Sequence, residues 1–145
     1  MQKLNFSIDI KAPKEKVWKV LWEDATYTKW TSVFCEGSQA ITDWNEGSKV
    51  LFIDGKGSGM VSRIETKKPH EFISFKHLGE VKNGEEDTTS EKVKQWAGAF
   101  ENYTLNEKAG ITTLVVDMDI AEEFKDYFMK TFPGGLDQVK LLSEA

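Results

Sequence analysis

The chain has 145 residues, of which 39% are hydrophobic and 30% charged, with a formal net charge of −5. This size and composition predict one soluble globular domain over residues 1–145. No apolar run approaches the roughly 20 residues needed to cross a bilayer, which excludes an integral membrane protein. The acidic balance argues against nucleic acid as a main partner. No signal peptide is visible at the N-terminus, so we expect a cytoplasmic protein.

The first thirty residues predict a strand followed by two short helices. Apolar and polar residues alternate over residues 4–10, as they do in an amphipathic strand with one buried face. Pro13 suits the first turn of a helix, and residues 17–21 supply the apolar stripe of that helix. A second short helical stretch begins at residues 22–24, with Tyr27 and Trp30 three apart on one face.

The middle of the chain predicts an antiparallel meander, because apolar segments are separated by short breaks rich in Gly, Asn or Pro. The predicted strands are residues 34–42, 49–54, 60–66, 71–78, 95–105 and 111–120. The acidic, polar stretch at 80–91 is too long for a tight hairpin and predicts a mobile flap.

The last element is predicted to be one long helix. It begins near Glu122, and apolar residues then follow helical spacing over some twenty residues. Pro133 removes a backbone donor and clashes with the preceding turn, so we expect the helix to kink or restart there. Its aromatic face is expected to pack onto the sheet.

The 17 aromatic residues, counted from 5 Trp, 3 Tyr and 9 Phe, are enough either to fill a core or to line a cavity. The predicted cavity wall consists of Trp30, Phe52, Met60, Phe75, His77, Trp96, Phe100, Met118, Phe124, Tyr127 and Phe128. His77 shares a strand face with Ile73 and Phe75, which makes it the candidate polar group, with Tyr103 as the alternative. Cys35 is alone, and no metal site, cofactor or catalytic set is predicted.

Several segments together resemble the START-related (SRPBCC) helix-grip superfamily, in its branch related to the activator of the Hsp90 ATPase and the polyketide-cyclase-like small proteins. The segments are 8–18 (IDIKAPKEKVW), 27–31 (YTKWT), 44–50 (WNEGSKV), 59–61 (GMV), 68–75 (KPHEFISF) and 136–142 (LDQVKLL). The resemblance implies an α+β fold in which a curved antiparallel sheet of about seven strands wraps around a long C-terminal helix. In many members a cavity between them holds an apolar or amphipathic small molecule.

Since this fold serves several functions, three hypotheses stay open. The first is a protein that binds a hydrophobic or amphipathic small molecule in the cavity. The second is a cofactor-independent cyclase, aromatase or dehydratase that uses the same cavity, with His77 as acid or base. The third is a chaperone-binding module of the Hsp90 co-chaperone type. A homodimer is also left open.

Overall fold

A computed structural model describes the whole chain from Met1 to Ala145. Its strands are β1 (Gln2–Ile10), β2 (Gln39–Ile41), β3 (Lys49–Ile53), β4 (Gly59–Lys68), β5 (Phe72–Lys82), β6 (Glu85–Asp87), β7 (Phe100–Lys108) and β8 (Ile111–Ile120). Its α-helices are α1 (Lys14–Trp22), α2 (Asp24–Trp30), α3 (Glu91–Lys94) and α4 (Lys125–Glu144), and two 3₁₀ turns cover Thr31–Val33 and Glu122–Phe124. None of the helices combines the length and apolarity needed to cross a membrane.

All eight strands form one open antiparallel sheet in the order β1-β8-β7-β5-β4-β3-β2, and the short β6 pairs with β5. The long helix α4 packs against β1, α1 and α2. The predicted α+β helix-grip architecture is therefore confirmed, with two short helices after the first strand and eight strands rather than about seven.

The sequence patterns explain the packing of these elements. Leu4 and Ile10 of β1 are buried, and the residues between them alternate in exposure as expected for a strand with one wet face. Val17, Val20 and Leu21 of α1 form its buried stripe, at helical spacing. These residues join the buried side chains of β8 and α4 in one core cluster, so the core lies between the sheet and the helices.

Two predicted segments differ from the structure: the strand expected at 34–42 and the flap expected at 80–91. The strand expected at 34–42 is reduced to Gln39–Ile41, because Phe34 instead follows the 3₁₀ turn and packs on α4. The stretch at 80–91, expected as a flap, forms secondary structure: β5 continues to Lys82, the chain turns back as β6, and β6 leads into α3. Ser90 caps α3 by accepting a hydrogen bond from the Val93 amide at 3.3 Å, which is why this polar stretch becomes a helical turn.

Two boundaries also differ from the prediction. The strand expected to begin at residue 95 begins at Phe100, because residues 95–98 close α3 and turn at Gly98, whose φ is +93°. Helix α4 runs through Pro133 as one element instead of restarting there. Buried Phe132 and Leu136 anchor it on both sides of the proline, so packing holds the helix together despite the lost donor.

Candidate functional site

A cavity of about 260 Å³ lies between the middle of the sheet, α2 and the first turns of α4. Twelve of its sixteen lining residues are hydrophobic, so its interior is mainly apolar. The lining residues are Trp22, Tyr27, Trp30, Thr31, Phe34, Cys35, Ser38, Phe52, Met60, Phe75, His77, Glu101, Tyr103, Tyr127, Phe128 and Phe132. The cavity exceeds the ~150 Å³ that suffices for benzene and lies just below the ~300–1,000 Å³ of drug-sized ligand sites.

The inner wall is held in place by aromatic contacts around Phe75. Its ring meets Phe52 at 5.1 Å and Trp22 at 5.4 Å between centroids, both edge to face. Trp22 also meets Tyr103 edge to face at 4.9 Å. Edge-to-face pairs at these distances are favourable, and each ring leaves its neighbours little room to rotate. This part of the wall is therefore preformed.

A chain of hydrogen bonds crosses the apolar wall and centres on His77. Its Nδ1 lies 2.6 Å from Ser62 Oγ, and its Nε2 lies 3.1 Å from Glu101 Oε1. The other oxygen of Glu101 accepts a hydrogen bond from the Tyr103 hydroxyl at 2.5 Å. An ionised carboxylate only accepts, so Nε2 carries a proton, and in the neutral ring Nδ1 accepts from Ser62. The carboxylate of Glu101 is thereby fixed at the cavity wall by two donors.

Ser62, His77 and Glu101 do not form a hydrolase triad. In such a triad the serine contacts Nε2 and the acid holds Nδ1, whereas here the two contacts are exchanged. Ser62 is also fully buried and does not line the cavity, so its hydroxyl cannot reach a ligand. Its role is to orient His77.

Tyr27 supplies a polar group that no protein atom uses. Its side chain lines the cavity, and its hydroxyl makes no hydrogen bond within the chain. Burial, with a smaller contribution from the charge of Glu101, raises the pKa of Tyr27 far above its ordinary value. Burial and Glu101 likewise raise the pKa of Tyr103. Both phenols therefore keep their protons at neutral pH, and Tyr27 is a donor without an acceptor.

The mouth of the cavity lies where the 3₁₀ turn after α2 meets the start of α4. The Tyr127 hydroxyl donates to the backbone carbonyl of Phe34 at 2.6 Å and joins these two segments. Tyr127 is 44% exposed, so this bond lies at the surface and not in the core. Partial burial, and to a smaller degree Cys35 nearby, raise the pKa of Tyr127.

Seven of the eleven predicted site residues meet at this cavity: Trp30, Phe52, Met60, Phe75, His77, Tyr127 and Phe128. The other four lie elsewhere. Met118 is buried in the core cluster, and Phe124 is 45% exposed in the turn before α4. Trp96 sits in the turn after α3. Phe100 pairs with Lys76 on the opposite face of the sheet, with the ammonium 5.9 Å from its ring centroid.

The sequence interpretation missed Tyr27 and Glu101 as cavity groups. Glu101 pairs with Phe75 across β5 and β7, so it shares the inward face with Tyr103 two residues later. The sequence analysis placed Phe100 on the inward face of its strand. This placement assigned the next residue, Glu101, to the outward face, because neighbouring strand residues face opposite sides. The alternation with Tyr103 was the signal that pointed to Glu101. Tyr27 lies one turn before Trp30 on α2, and this spacing also placed it on the inward face.

Comparison with known proteins gives a family. The family model described as "Activator of Hsp90 ATPase homolog 1-like protein" matches residues 11–135. No curated protein matches the chain.

Solved structures share the fold at low sequence identity. The Aha1 dimer from Colwellia psychrerythraea is 18% identical with a TM-score of 0.75, over 99% of this chain and 97% of that one. CalU16 from Micromonospora echinospora is 14% identical with a TM-score of 0.67, over 97% of this chain and 75% of that one.

DynU16, a protein of the dynemicin biosynthetic locus, is 14% identical with a TM-score of 0.71. The match covers 97% of this chain and 46% of DynU16, so the chain spans about half of that protein. The family match covers most of the sequence, and the folds agree over nearly all of it. The chain belongs to the Activator of Hsp90 ATPase homolog 1-like family, within the START-like (SRPBCC) helix-grip superfamily.

Proposed function

We propose that the protein binds a neutral hydrophobic or amphipathic small molecule in the cavity between the sheet and α4. The observation that carries this proposal is the Tyr27 hydroxyl, a donor without a partner inside an apolar, preformed cavity. This hydroxyl is reachable from the cavity, and a ligand oxygen beside it can accept its hydrogen bond, for a net gain of about 0.5–1.5 kcal/mol.

The polar groups of the cavity also define the ligand. Both oxygens of Glu101 already accept hydrogen bonds within the protein, so Glu101 needs no donor from the ligand. Its negative charge at the cavity wall repels a ligand anion. A neutral carbonyl or ether oxygen near Tyr27, attached to an apolar body, fits the cavity best. The volume of about 260 Å³ admits a body of one or two rings.

A matched pair of probes tests this assignment. Acetophenone and ethylbenzene have similar size and shape, but only acetophenone carries an acceptor. We expect the hydrogen bond to strengthen acetophenone binding by up to about tenfold, a preference read as the ratio of the two affinities in the unchanged chain against the same ratio in Tyr27→Phe. The measurement is a titration followed by NMR on the full chain.

Tyr27→Phe should abolish this preference while leaving ethylbenzene binding unchanged, because only the hydroxyl is removed. Trp96→Phe, outside the cavity, is the matched control and should leave both affinities as they are. If neither probe causes saturable shifts at cavity residues, the cavity is not a ligand site and the proposal is wrong. If Tyr27→Phe keeps the full preference, the cavity binds ligands but Tyr27 does not select them.

A second candidate function is proton-transfer catalysis of the cyclase or dehydratase type, in the same cavity. The observation that favours it is the His77–Glu101 pair, since both residues line the apolar cavity at hydrogen-bond distance from each other. In this pair the Glu101 carboxylate would take the proton from the carbon next to a bound carbonyl, and His77 would hold the carboxylate in position. Hydrogen–deuterium exchange at the methyl group of acetophenone measures this reaction. Exchange above the buffer rate that is lost in His77→Gln supports an enzyme, whereas exchange at the buffer rate argues against it.

Association with an Hsp90-type chaperone or with a second copy of the chain is the third candidate, and the family match supports it. The 3₁₀ turn before α4 and the first turns of α4 expose Phe124, Tyr127 and Met129 by 44–50% each, and apolar side chains of this kind suit a protein contact. The ATPase rate of the cognate chaperone tests the first association, and the solution mass of the protein tests the second. An unchanged ATPase rate would exclude the chaperone contact, and a monomer mass at micromolar concentration would exclude the homodimer.

A further inference from the structure

A second recess, which we call the tryptophan groove, lies on the outer side of Trp22, away from the cavity. Its six lining residues are Trp18, Lys19, Trp22, Glu23, Asp24 and Trp44, and it encloses about 420 Å³ open to solvent. Three of the five tryptophans of the chain therefore meet at one surface site, beside two carboxylates. The cavity site described above uses only Trp22 of this set.

The three indoles enclose the groove from different directions. The Trp22 ring lies 6.3 Å from Trp18 at an interplanar angle of 76°, and 5.4 Å from Trp44 at 45°. Trp22 is 7% exposed and forms the floor, while Trp18 and Trp44 are half-buried and form the sides.

Trp44 is held in a strained backbone conformation. Its φ of +63° lies in the left-handed region, which bulky residues rarely adopt. The Trp44 amide donates to Thr42 Oγ1 at 3.3 Å, and the Lys67 ammonium donates to the Trp44 carbonyl at 2.7 Å. Such strain is unfavourable and is concentrated at functional sites. Here it places an indole at the side of the groove.

The charges at the groove favour a cation. Neither Glu23 nor Asp24 takes part in an ion pair. Lys19, the single basic lining residue, lies over none of the indole rings, since the one cation–π contact of the chain is between Lys76 and Phe100. The ammonium of Lys67 is engaged by the Trp44 carbonyl. His70 lies beside the Trp18 ring, with 6.1 Å between the ring centroids. The two carboxylates next to the three indoles are thus without an ion-pair partner.

We propose that the tryptophan groove binds a trimethylammonium group. Tilted aromatic rings beside carboxylates attract a compact, weakly hydrated cation through the ring quadrupoles and the negative charge. A sugar would need one broad exposed indole face, and the mutually tilted rings with a nearly buried floor do not supply it. The group can belong to a free small molecule or to a methylated lysine of a protein tail.

NMR of the five indole N–H groups in the full chain tests this site. Choline is the probe, and 3,3-dimethyl-1-butanol, which has carbon in place of the charged nitrogen, is the matched neutral control. We expect choline to shift the signals of Trp18, Trp22 and Trp44 saturably at millimolar concentration, with Trp30 and Trp96 unmoved. A peptide with trimethyl-lysine in place of choline distinguishes the two sources, since tighter binding of the peptide indicates a protein tail.

Charge and aromatic variants complete the test. Asp24→Asn and Trp44→Leu should each weaken choline binding by about threefold to tenfold. Glu15→Gln, an exposed acid on α1 outside the groove, should leave it unchanged. Equal shifts with choline and its neutral analogue, shifts with methyl glucoside alone, or no saturable shift in the folded protein would each overturn the proposal.

Discussion

The two halves of α4 meet the rest of the protein in different ways. In the C-terminal half, Leu136 and Val139 are 3% and 0% exposed and belong to the continuous core cluster. In the N-terminal half, Tyr127 is 44% exposed and Phe128 forms part of the cavity wall. The stacked pair Phe6–Phe132, with centroids 5.0 Å apart, marks the change from one half to the other.

The size of the side chains explains this difference. Gly135 brings the helix backbone close to Phe34, and aliphatic residues beyond it fill the space against the sheet. Before Phe132, large aromatic rings contact one another at the mouth, as Tyr127 and Phe128 do at 5.2 Å, instead of interlocking with the sheet. One helix thus serves both as a core element and as a wall.

The largest expected difference between the halves is in stability. Leu136→Ala removes a buried side chain from the filled half and should lower the free energy of unfolding by about 3 kcal/mol. Phe128→Ala in the hollow half should cost about half of that, because its ring borders a cavity on one side. Urea unfolding of both variants measures the comparison. Equal losses would mean that the two halves are packed alike.

This contrast was only partly predictable from the sequence. The apolar stripe of α4 and the alternation of β1 are local patterns, and both elements formed where expected. Whether Phe128 fills the core or lines a cavity depends on residues far away in the chain, among them Phe34, at 6.2 Å between ring centroids. Local periodicity does not specify such distances.

The polar part of the site shows the same limit. The inward direction of His77 followed from its shared face with Phe75, and in the structure His77 lines the cavity. Its partners Ser62 and Glu101 come from β4 and β7, so their meeting depends on strand register and on the bulge between Val61 and Ser62. Bulges shift the pairing by one residue and leave no clear signal in the sequence.

The next largest expected difference is in stability, between phenylalanine variants of two tyrosines that line the cavity. Tyr103→Phe removes a hydrogen bond to the partly buried carboxylate of Glu101 and should destabilise the protein by about 2 kcal/mol. Tyr27→Phe removes a hydroxyl that bonds to nothing in the protein and should change stability by less than about 0.5 kcal/mol. The midpoints of urea unfolding measure both. A large loss from Tyr27→Phe would reveal a partner for its hydroxyl and remove the basis of the ligand proposal.

At alkaline pH the buried tyrosines of the cavity are expected to ionise differently from Tyr127 at its mouth. Since the fold raises the pKa of Tyr27 and Tyr103 above their ordinary value of 10.0, the unfolded chain releases these protons first as pH rises. Stability is therefore fully present below pH 10 and falls above it, by about 1.4 kcal/mol per pH unit for each tyrosine. Tyrosinate absorbance measured alongside unfolding should show Tyr127 ionising in the folded state, before the other two. Early ionisation of all three would contradict the buried positions.

The smallest expected effect concerns the two adjacent glycines of α4, where the helix passes the mouth. A Cβ on Gly134 would lie 3.9 Å from Val33, an ordinary contact, whereas a Cβ on Gly135 would lie 3.1 Å from the Phe34 ring. Gly134→Ala should therefore gain most of the roughly 1 kcal/mol by which alanine favours a helix, as measured by thermal unfolding. Gly135→Ala should gain less, since Phe34 must move by a few tenths of an ångström and pulls on the carbonyl that binds Tyr127. If both variants gain the same stability, the Phe34 ring moves without cost, and the mouth of the cavity is more easily deformed than its inner wall.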